Sequence, residues 1–327
     1  MKTRVLLGID IGGTNTKLAA ISARGKVVAH DMILTLAKEG PESLFTRIQQ
    51  VVPSLLGPRR EIAAAGLGCA GLVDAGSGRL CSSPNLPEWA NTPISRICKR
   101  VLGVYTYVDN DANAAAYGEY RCGCGVGARM FICITLGTGV GGGIVSDGKI
   151  LRGSHNYAGE IGHMTISEKG PRCKCGNRGC LEAFVSADAL VRDATRILRR
   201  AGRSLLGMPA AKKSRVLTPE DIATAARRGD KAAQEVFDNA AQHVGIAAAS
   251  LVNVLNPDRI GLAGGVASGF DLMEKRIGQV VAERAFFESA KVVTIRQAQL
   301  GFNAATIGAA LMAKDALRKT PHQTPSR

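Results

Sequence analysis

Three cysteines lie close together in the stretch RCKCGNRGC, which spans residues 172–180. Cys173, Cys175 and Cys180 could form a disulfide, hold a metal ion or fill space as buried thiols. The chain has nine cysteines, an odd number, and no signal-peptide pattern at its start, which predicts a cytoplasmic protein in which disulfides are rare. A metal site and buried thiols therefore remain as the alternatives for this stretch.

Two glycine- and threonine-rich turns contain the residue types that hold phosphate groups. DIGGT at residues 10–14 and LGTGVGGG at residues 136–143 each lie between apolar segments that predict β-strands. Glycine lets the backbone approach a ligand closely, and exposed N–H groups and threonine hydroxyls suit phosphate oxygens. Asp10 adds a carboxylate that could hold Mg²⁺ or its water shell beside bound phosphates.

A third chemical signal is VDNDAN, residues 108–113, at a predicted junction between a strand and a helix. Asp111 has two interpretations here. It could cap the N-terminus of the helix. Alternatively, because α/β proteins bind ligands at the carboxyl ends of their strands, it could accept a hydroxyl proton during phosphoryl transfer.

The elements that must position these residues form an internal repeat. VLLGIDIGGTNTKLAAISARGKVV at residues 5–28 and MFICITLGTGVGGGIVSDGKIL at residues 130–151 both predict a strand, a polar turn, a strand, a small turn and a strand. A plain β-turn would explain one glycine-rich hairpin, but two at equivalent positions favour a pair of phosphate-binding turns. The repeat predicts an α/β protein with two lobes of the same topology that face each other.

Composition excludes several classes of function. Hydrophobic residues make up 46% of the 327 residues, which is enough for a large core, and no apolar run of about 18 residues predicts a membrane span. The formal net charge is +15, but the basic residues are dispersed and aromatic residues make up only 4%. This pattern favours a basic surface that attracts phosphate anions over a nucleic-acid partner.

Seven segments, in order, resemble the ROK family of sugar kinases: DIGGT, GLGCAGLVD, NDANAAAYGE, LGTGVGGGI, AGEIGHMTI, CKCGNRGCLEAF and LAGGV. The resemblance runs from about residue 4 to residue 315. It implies the two-lobed actin-like ATPase fold, a duplicated ribonuclease H-like α/β architecture with the active-site cleft between the lobes. The implied division is a small lobe at 1–113, a large lobe at 114–302, a helix at about 303–318 that packs back on the small lobe, and a basic, disordered tail at 319–327.

The resemblance also implies ATP-dependent phosphorylation of a hexose, with Mg²⁺, and glucose as the preferred substrate. Asp111 would be the catalytic base for the sugar hydroxyl. The residues implied to bind the sugar are Gly71, Asn85, Asn110, Asp111, Glu160, His163 and Glu182. Those implied to bind ATP and its phosphates are Asp10, Gly12, Gly13, Thr14, Gly137, Thr138, Gly139, Gly264 and Gly265, with Asp10 holding Mg²⁺ through water.

His163 completes a metal-ligand pattern with the cysteine stretch. The spacing H-x9-C-x-C-x4-C supplies one imidazole and three thiolates, a closed tetrahedral set for one structural Zn²⁺. The four predicted ligands are His163, Cys173, Cys175 and Cys180. Zinc bound there would fix the loop of residues 163–180, which has sugar-binding residues at both ends. Cys122 and Cys124 have no neighbouring ligand and are interpreted as incidental thiols.

One departure from the family pattern and several alternatives remain. Many members have Pro-Gly where this chain has Ala70-Gly71, and this difference affects what can be inferred about the details of the sugar pocket.

N-acetylglucosamine, N-acetylmannosamine or fructose are alternative substrates, and polyphosphate is an alternative phosphoryl donor. A non-catalytic sugar sensor is the alternative from another class, against which the intact Asp10 and Asp111 argue. The family habit is a homodimer, and no membrane or nucleic-acid partner is expected.

Overall fold

The first half of the chain is built on a five-stranded sheet. The computed structural model describes residues 2–201, 204–206 and 217–319. The elements of this half, numbered in chain order, are β1 Thr3–Ile11, β2 Asn15–Ile21, β3 Val27–Leu34, α1 Gly40–Leu56, β4 Arg60–Cys69, β5 Leu72–Asp74, β6 Arg79–Ser82, α2 Ile94–Leu102, β7 Thr106–Asn110 and α3 Asp111–Cys122. The sheet has the order β3-β2-β1-β4-β7, and β5 pairs with β6 in a separate hairpin. β1, β2 and β3 are antiparallel, whereas β4 and β7 continue the sheet in parallel with β1.

The second half repeats this topology. Its elements are β8 Met130–Leu136, β9 Val140–Ser146, β10 Lys149–Ile150, α4 Glu182–Val185, α5 Ala187–Ala201, α6 Pro219–Arg227, α7 Lys231–Leu255, β11 Arg259–Ala263, α8 Phe270–Arg284, α9 Phe287–Val292, β12 Thr294–Gln297 and α10 Ala304–Lys319. The sheet order is β10-β9-β8-β11-β12, again an antiparallel meander followed by two parallel strands. The internal repeat predicted from the sequence is confirmed.

Helices α3 and α10 pack between the two sheets. Leu6 of β1, Ala114 of α3, Phe131 of β8 and Leu311 of α10 all belong to one buried apolar cluster. The opposite face of the first sheet forms a second cluster, in which Leu7 of β1 packs with residues of α1 and α2. Because successive side chains of a strand point to opposite faces, a sheet covered on both sides explains the nearly unbroken apolar run of β1.

Small residues let helix α10 lie directly against its neighbours. A Cβ atom at Gly66 of β4 would collide with the carbonyl group of Ala309, and one at Gly308 would collide with the carbonyl group of Ala114 in α3. Glycine at these positions therefore permits contact between backbones, which brings the last helix onto the first sheet.

The helix expected over about 303–318 is α10, which packs against β1 and β4 of the first sheet. Lys319 is the last residue of that helix, so the predicted start of the tail at residue 319 is one residue too early. Residues 320–327 lie outside the described residues. Across the described ranges, no helix is both long and apolar enough to cross a lipid bilayer.

Candidate active site

A cavity of about 830 Å³ lies between the two glycine-rich hairpins, with walls from both halves of the chain. Most of the site residues predicted from the sequence line it. They are Gly12, Gly13, Thr14, Gly71, Asn85, Asn110, Asp111, Gly137, Thr138, Gly139, Glu160, His163, Glu182 and Gly264. Asp10 and Gly265 are not part of the lining. Residues far apart in sequence are thus brought to one cleft, as a site between two repeats requires.

The first hairpin joins β1 to β2 and is closed by the Gly12 N–H, which donates to the Asn15 carbonyl at 3.1 Å. The strand register places Asp10 opposite Lys17, and Lys17 Nζ lies 3.1 Å from Asp10 Oδ2. Lys17 Nζ also lies 4.2 Å from the ring centre of Phe302. The carboxylate expected to hold Mg²⁺ is therefore paired with a lysine that sequence reasoning did not single out.

The second hairpin joins β8 to β9. The Gly137 N–H donates to the Gly139 carbonyl at 2.9 Å, and the Gly137 carbonyl accepts from the Ala187 N–H at 2.8 Å. Thr138 is exposed at this turn, as Thr14 is at the first. Both turns thus present hydroxyl groups to the cavity, where phosphate oxygens could accept hydrogen bonds.

The LAGGV segment packs against the base of the second hairpin. Gly264 has a φ of 92°, and a Cβ atom there would collide with the Leu136 carbonyl. Glycine is therefore required at this position both for its backbone conformation and for space. Gly265 follows it and precedes the short 3₁₀ helix Val266–Gly269.

Asp111 is the first residue of α3 and is half-buried. The N-cap is Asn110, so the interpretation of Asp111 as a helix cap is wrong. Its Oδ1 accepts from the Ala112 N–H at 2.9 Å. Burial raises the pKa of Asp111 to about 6, the negative charges of Asp10 and Glu160 add to this, and the backbone hydrogen bonds oppose it. A carboxyl group with such a pKa is suited to accept a proton near neutral pH.

Asn110 caps α3 and supports the neighbouring loop at the same time. Its Oδ1 accepts from the N–H groups of Ala112 and Asn113 at 2.9 and 3.1 Å, and its Nδ2 donates to the Gly71 carbonyl at 3.0 Å. Both Asn and Asp are good N-cap residues, so the sequence NDAN did not show which of the two would cap the helix. Among the described residues, the second N–H of the Asn110 amide makes no hydrogen bond.

The four predicted zinc ligands come together as one cluster. One donor atom from each of His163, Cys173, Cys175 and Cys180 lies within 4.8 Å of all the others, and the sulfur atoms of Cys175 and Cys180 are 3.7 Å apart. Sulfur atoms around a tetrahedral zinc ion stand about 3.8 Å from one another, given Zn–S bonds of about 2.3 Å. Burial raises the pKa of the Cys173 thiol to about 12, so a thiolate there needs a cation beside it. The donor set and its spacing fit a four-coordinate zinc ion.

The imidazole ring of His163 lies between the cysteine cluster and the cavity. Its Nδ1 lies 3.8 Å from Cys173 Sγ in the metal cluster, whereas its Nε2 lies 3.9 Å from Glu160 Oε2 at the cavity. A histidine that gives Nδ1 to a metal keeps its proton on Nε2, which can then donate a hydrogen bond. This geometry lets one side chain have both roles expected of it.

Sequence reasoning missed Asp109, which is buried two residues before Asp111. Its Oδ2 accepts from Arg152 Nη2 at 2.5 Å and from Arg152 Nε at 3.1 Å. Asp109 lies in the VDNDAN segment, near the end of a strand that is predicted to be buried. A buried carboxylate needs a charged or hydrogen-bonding partner, and this requirement could have drawn attention to Asp109. The partner could not be read from the sequence, because Arg152 belongs to the other half of the chain.

Comparison with known proteins agrees with this architecture. The sequence profile of the ROK family matches residues 6–316. A glucokinase from Halalkalibacterium halodurans is 37% identical over 319 residues, covering 96% of each chain. A ROK family glucokinase from Streptomyces griseus, crystallised with glucose and AMPPNP, superposes with a TM-score of 0.80 at 32% identity, covering 95% of this chain and 99% of that one.

A transcriptional regulator of the same family, a homologue of the E. coli MLC protein, superposes with a TM-score of 0.87 at 25% identity, covering 96% of this chain and 78% of that one. Kinases and regulators therefore share this fold, and the predicted fold class is confirmed. Since the family profile spans nearly the whole chain and a relative at 37% identity covers 96% of it, the chain belongs to the ROK family.

Proposed function

We propose that this protein is an ATP-dependent sugar kinase that transfers the γ-phosphoryl group of ATP to the 6-hydroxyl group of glucose. The observation that carries the proposal is the position of Asp111, at the carboxyl end of β7 in a cavity that both glycine-rich hairpins also line. The similarity to two glucokinases, one of them bound to glucose and AMPPNP, supports this activity.

The sugar lies on the side of the cavity where Asp111, Glu160 and His163 meet. Carboxylates accept hydrogen bonds from sugar hydroxyls, and the Nε2–H of His163 donates one. Gly71, Asn85, Asn110 and Glu182 complete this side of the lining. Gly71 has a φ of 124°, and a Cβ atom there would collide with the Ser82 carbonyl, so only glycine fits this part of the wall.

ATP lies on the opposite side, with its phosphates between the two hairpins and its adenosine near Gly264 and Gly265. The backbone N–H groups and hydroxyls of the hairpins are fixed in place before the reaction, which is the arrangement that stabilises charge on a transferring phosphoryl group. Bound Mg²⁺ would neutralise phosphate charge, and Asp10 would hold its water shell once Lys17 releases the carboxylate.

In the reaction Asp111 takes the proton from the 6-hydroxyl group as its oxygen forms a bond to the γ-phosphorus. The bond between that phosphorus and the β,γ-bridging oxygen breaks, and ADP leaves with the electron pair. Zinc bound by His163 and the three cysteines would give structural support to the loop and take no part in this transfer.

We also propose that the two sheets form the cores of two lobes, 1–113 with α10 and 114–302, which close over the substrates and exclude water. None of the nine cysteines forms a disulfide, and we propose a cytoplasmic location, where thiols stay reduced. A homodimer is proposed from the resemblance to the family, and sedimentation velocity would test it.

A sugar sensor without catalytic activity is the second candidate, since a regulator of the family has the same fold. The similarity to the glucokinases, one of which covers 96% of the chain at 37% identity, favours the kinase. A coupled assay of ADP formation over glucose, mannose, fructose, N-acetylglucosamine and N-acetylmannosamine distinguishes the candidates. Turnover highest with glucose is expected. Sugar binding without ADP formation would reject the kinase, and a preference for another sugar would reject glucose as the substrate.

A further inference from the structure

The partly buried ion pair between Asp109 and Arg152 connects the two sides of the proposed sugar pocket. Asp109 is the next-to-last residue of β7 in the first sheet and has a side chain that is only 2% exposed. Arg152 follows β10 of the second sheet, and the two residues are 43 positions apart. The pair therefore reaches from one repeat of the fold to the other.

Both oxygens of the Asp109 carboxylate are occupied. Oδ1 accepts from the Asn110 N–H at 2.9 Å and from Asn113 Nδ2 at 2.9 Å. Oδ2 accepts from Arg152, and from the Tyr107 hydroxyl at 3.3 Å. The carboxylate is thus bound to the first turn of α3 on one side and to the guanidinium group on the other. This fixes the start of the helix whose first residue is Asp111.

Arg152 holds the segment that leads to the other sugar-binding residues. Its carbonyl accepts from the Ala158 N–H at 3.0 Å, which closes the loop just before Glu160 and His163. Its Nη2 also donates to the Tyr107 hydroxyl at 2.9 Å. The guanidinium group therefore anchors this loop to β7, the strand that ends at Asn110.

We infer that the Asp109–Arg152 pair positions the sugar-binding face by fixing the start of α3, with Asp111, relative to the segment of Glu160 and His163. Neither residue lines the cavity, so both are positioning residues and act through their neighbours. This inference rests on the proposed sugar site. It predicts an effect on the sugar and the reacting hydroxyl that is larger than the effect on ATP, because the glycine-rich hairpins make no hydrogen bond to the pair.

A stabilising role alone would have a different signature. Buried ion pairs are weak evidence for stability, although removing one partner leaves an uncompensated charge that destabilises the fold. A purely structural pair would lower the melting temperature and leave the kinetic constants of the folded enzyme unchanged. A positioning pair must change KM for sugar and kcat in enzyme that is still folded.

The test compares the full-length chain with Arg152→Gln, Arg152→Lys and Asp109→Asn, using Arg129→Gln as the matched control. Arg129 pairs with Asp147 at 2.8 Å in the same half of the chain, but its side chain is 83% exposed. Circular dichroism first selects a temperature at which each variant is folded. Glucose affinity is then measured by calorimetry without ATP, and KM for glucose, KM for ATP and kcat are measured by the coupled assay.

We expect Arg152→Gln to lower kcat/KM for glucose by about ten- to a hundredfold, as a displacement of about 1 Å in a reacting geometry does, with KM for ATP within about twofold of wild type. Arg152→Lys should recover part of this loss, and Arg129→Gln should behave as wild type. Asp109→Asn combined with Arg152→Gln should lose little more than either change alone, because both break one network.

Three results would overturn the inference: unchanged glucose affinity and kcat in folded Arg152→Gln, equal effects on glucose and ATP, or losses that add in the double variant. Calorimetry keeps this test separate from the proposed function. A wild-type protein that binds glucose without turnover would refute the kinase. The glucose affinities of the variants would still test whether the Asp109–Arg152 pair positions the sugar-binding residues. If Asp109→Asn does not fold, the two Arg152 variants decide the matter.

Discussion

The carboxylate of Glu182 accepts a hydrogen bond from the Val140 N–H, with 3.0 Å between Val140 N and Glu182 Oε2. Its other oxygen, Oε1, lies 3.5 Å from Cys173 Sγ. One side chain therefore touches both the second glycine-rich hairpin and the cysteine cluster. The second glycine-rich hairpin and the loop that contains the cysteine cluster are connected through this carboxylate.

Glu182→Ala is expected to raise KM for glucose and KM for ATP together, each by roughly tenfold, since a hydrogen bond to a charged group is lost and the hairpin loses its support. Glu182→Gln keeps a carbonyl oxygen for the Val140 N–H and should spare KM for ATP while still weakening glucose binding. Initial rates over both substrates measure this. Equal values of KM for ATP in the two variants would show that the hydrogen bond to the hairpin is unimportant.

Asp111→Asn should fold and bind glucose but lose about 10²- to 10⁴-fold in kcat, because the amide cannot accept the hydroxyl proton. Calorimetry with glucose establishes binding, and the coupled assay gives kcat. Asp147→Asn, on an exposed turn of the second sheet, is a suitable control for loss of one carboxylate. A kcat near that of wild type would remove Asp111 from the role of base.

The rate should depend on pH through Asp111. Because its pKa is raised to about 6, first by burial and then by the charge of Asp10, the base is protonated and inactive below that pH and active above it. We expect kcat/KM for glucose to rise through about pH 6 and then level off. Asp10→Asn removes a charge that raises the pKa, so the inflection of its residual activity should move to lower pH. An inflection that stays in place or moves upward would contradict this electrostatic account.

The zinc content of the protein should depend on the cysteine cluster. Wild-type protein is expected to contain about one zinc ion per chain by elemental analysis, and Cys175→Ser should lose it with a lower melting temperature and a higher KM for glucose. Cys175 is exposed, so this change opens no cavity in the core. Cys122→Ser removes a thiol outside the cluster and should keep its zinc. Full activity in zinc-free protein would refute the structural metal.

The repeated hairpins made the topology predictable. Two copies of strand, glycine-rich turn and strand at 5–28 and 130–151 fix three strands of each sheet, since short turns join antiparallel neighbours. The meeting of His163 with the three cysteines was predictable for a similar reason: residues that are close in sequence need only a local fold to come together. Local spacing carried the correct information in both cases.

Contacts between the halves were not predictable from spacing. Arg152 is one of many dispersed basic residues, and only the three-dimensional fold shows that its partner is Asp109. Lys17 is an intermediate case, since it lies directly opposite Asp10 in the β1–β2 register. That pairing could have been inferred from the hairpin once the turn length was known.

The packing of α10 has a consequence for synthesis on the ribosome. One face of the first sheet is covered by residues 304–319, yet the strands of that sheet are complete by residue 110. At about 5–20 residues per second, the ribosome needs roughly 10–40 s to move from the end of α3 to the last helix. During this time Leu6 and the other apolar side chains of that face lack the cover that α10 provides. The demand for protection by chaperones therefore falls on the part of the chain that is made first.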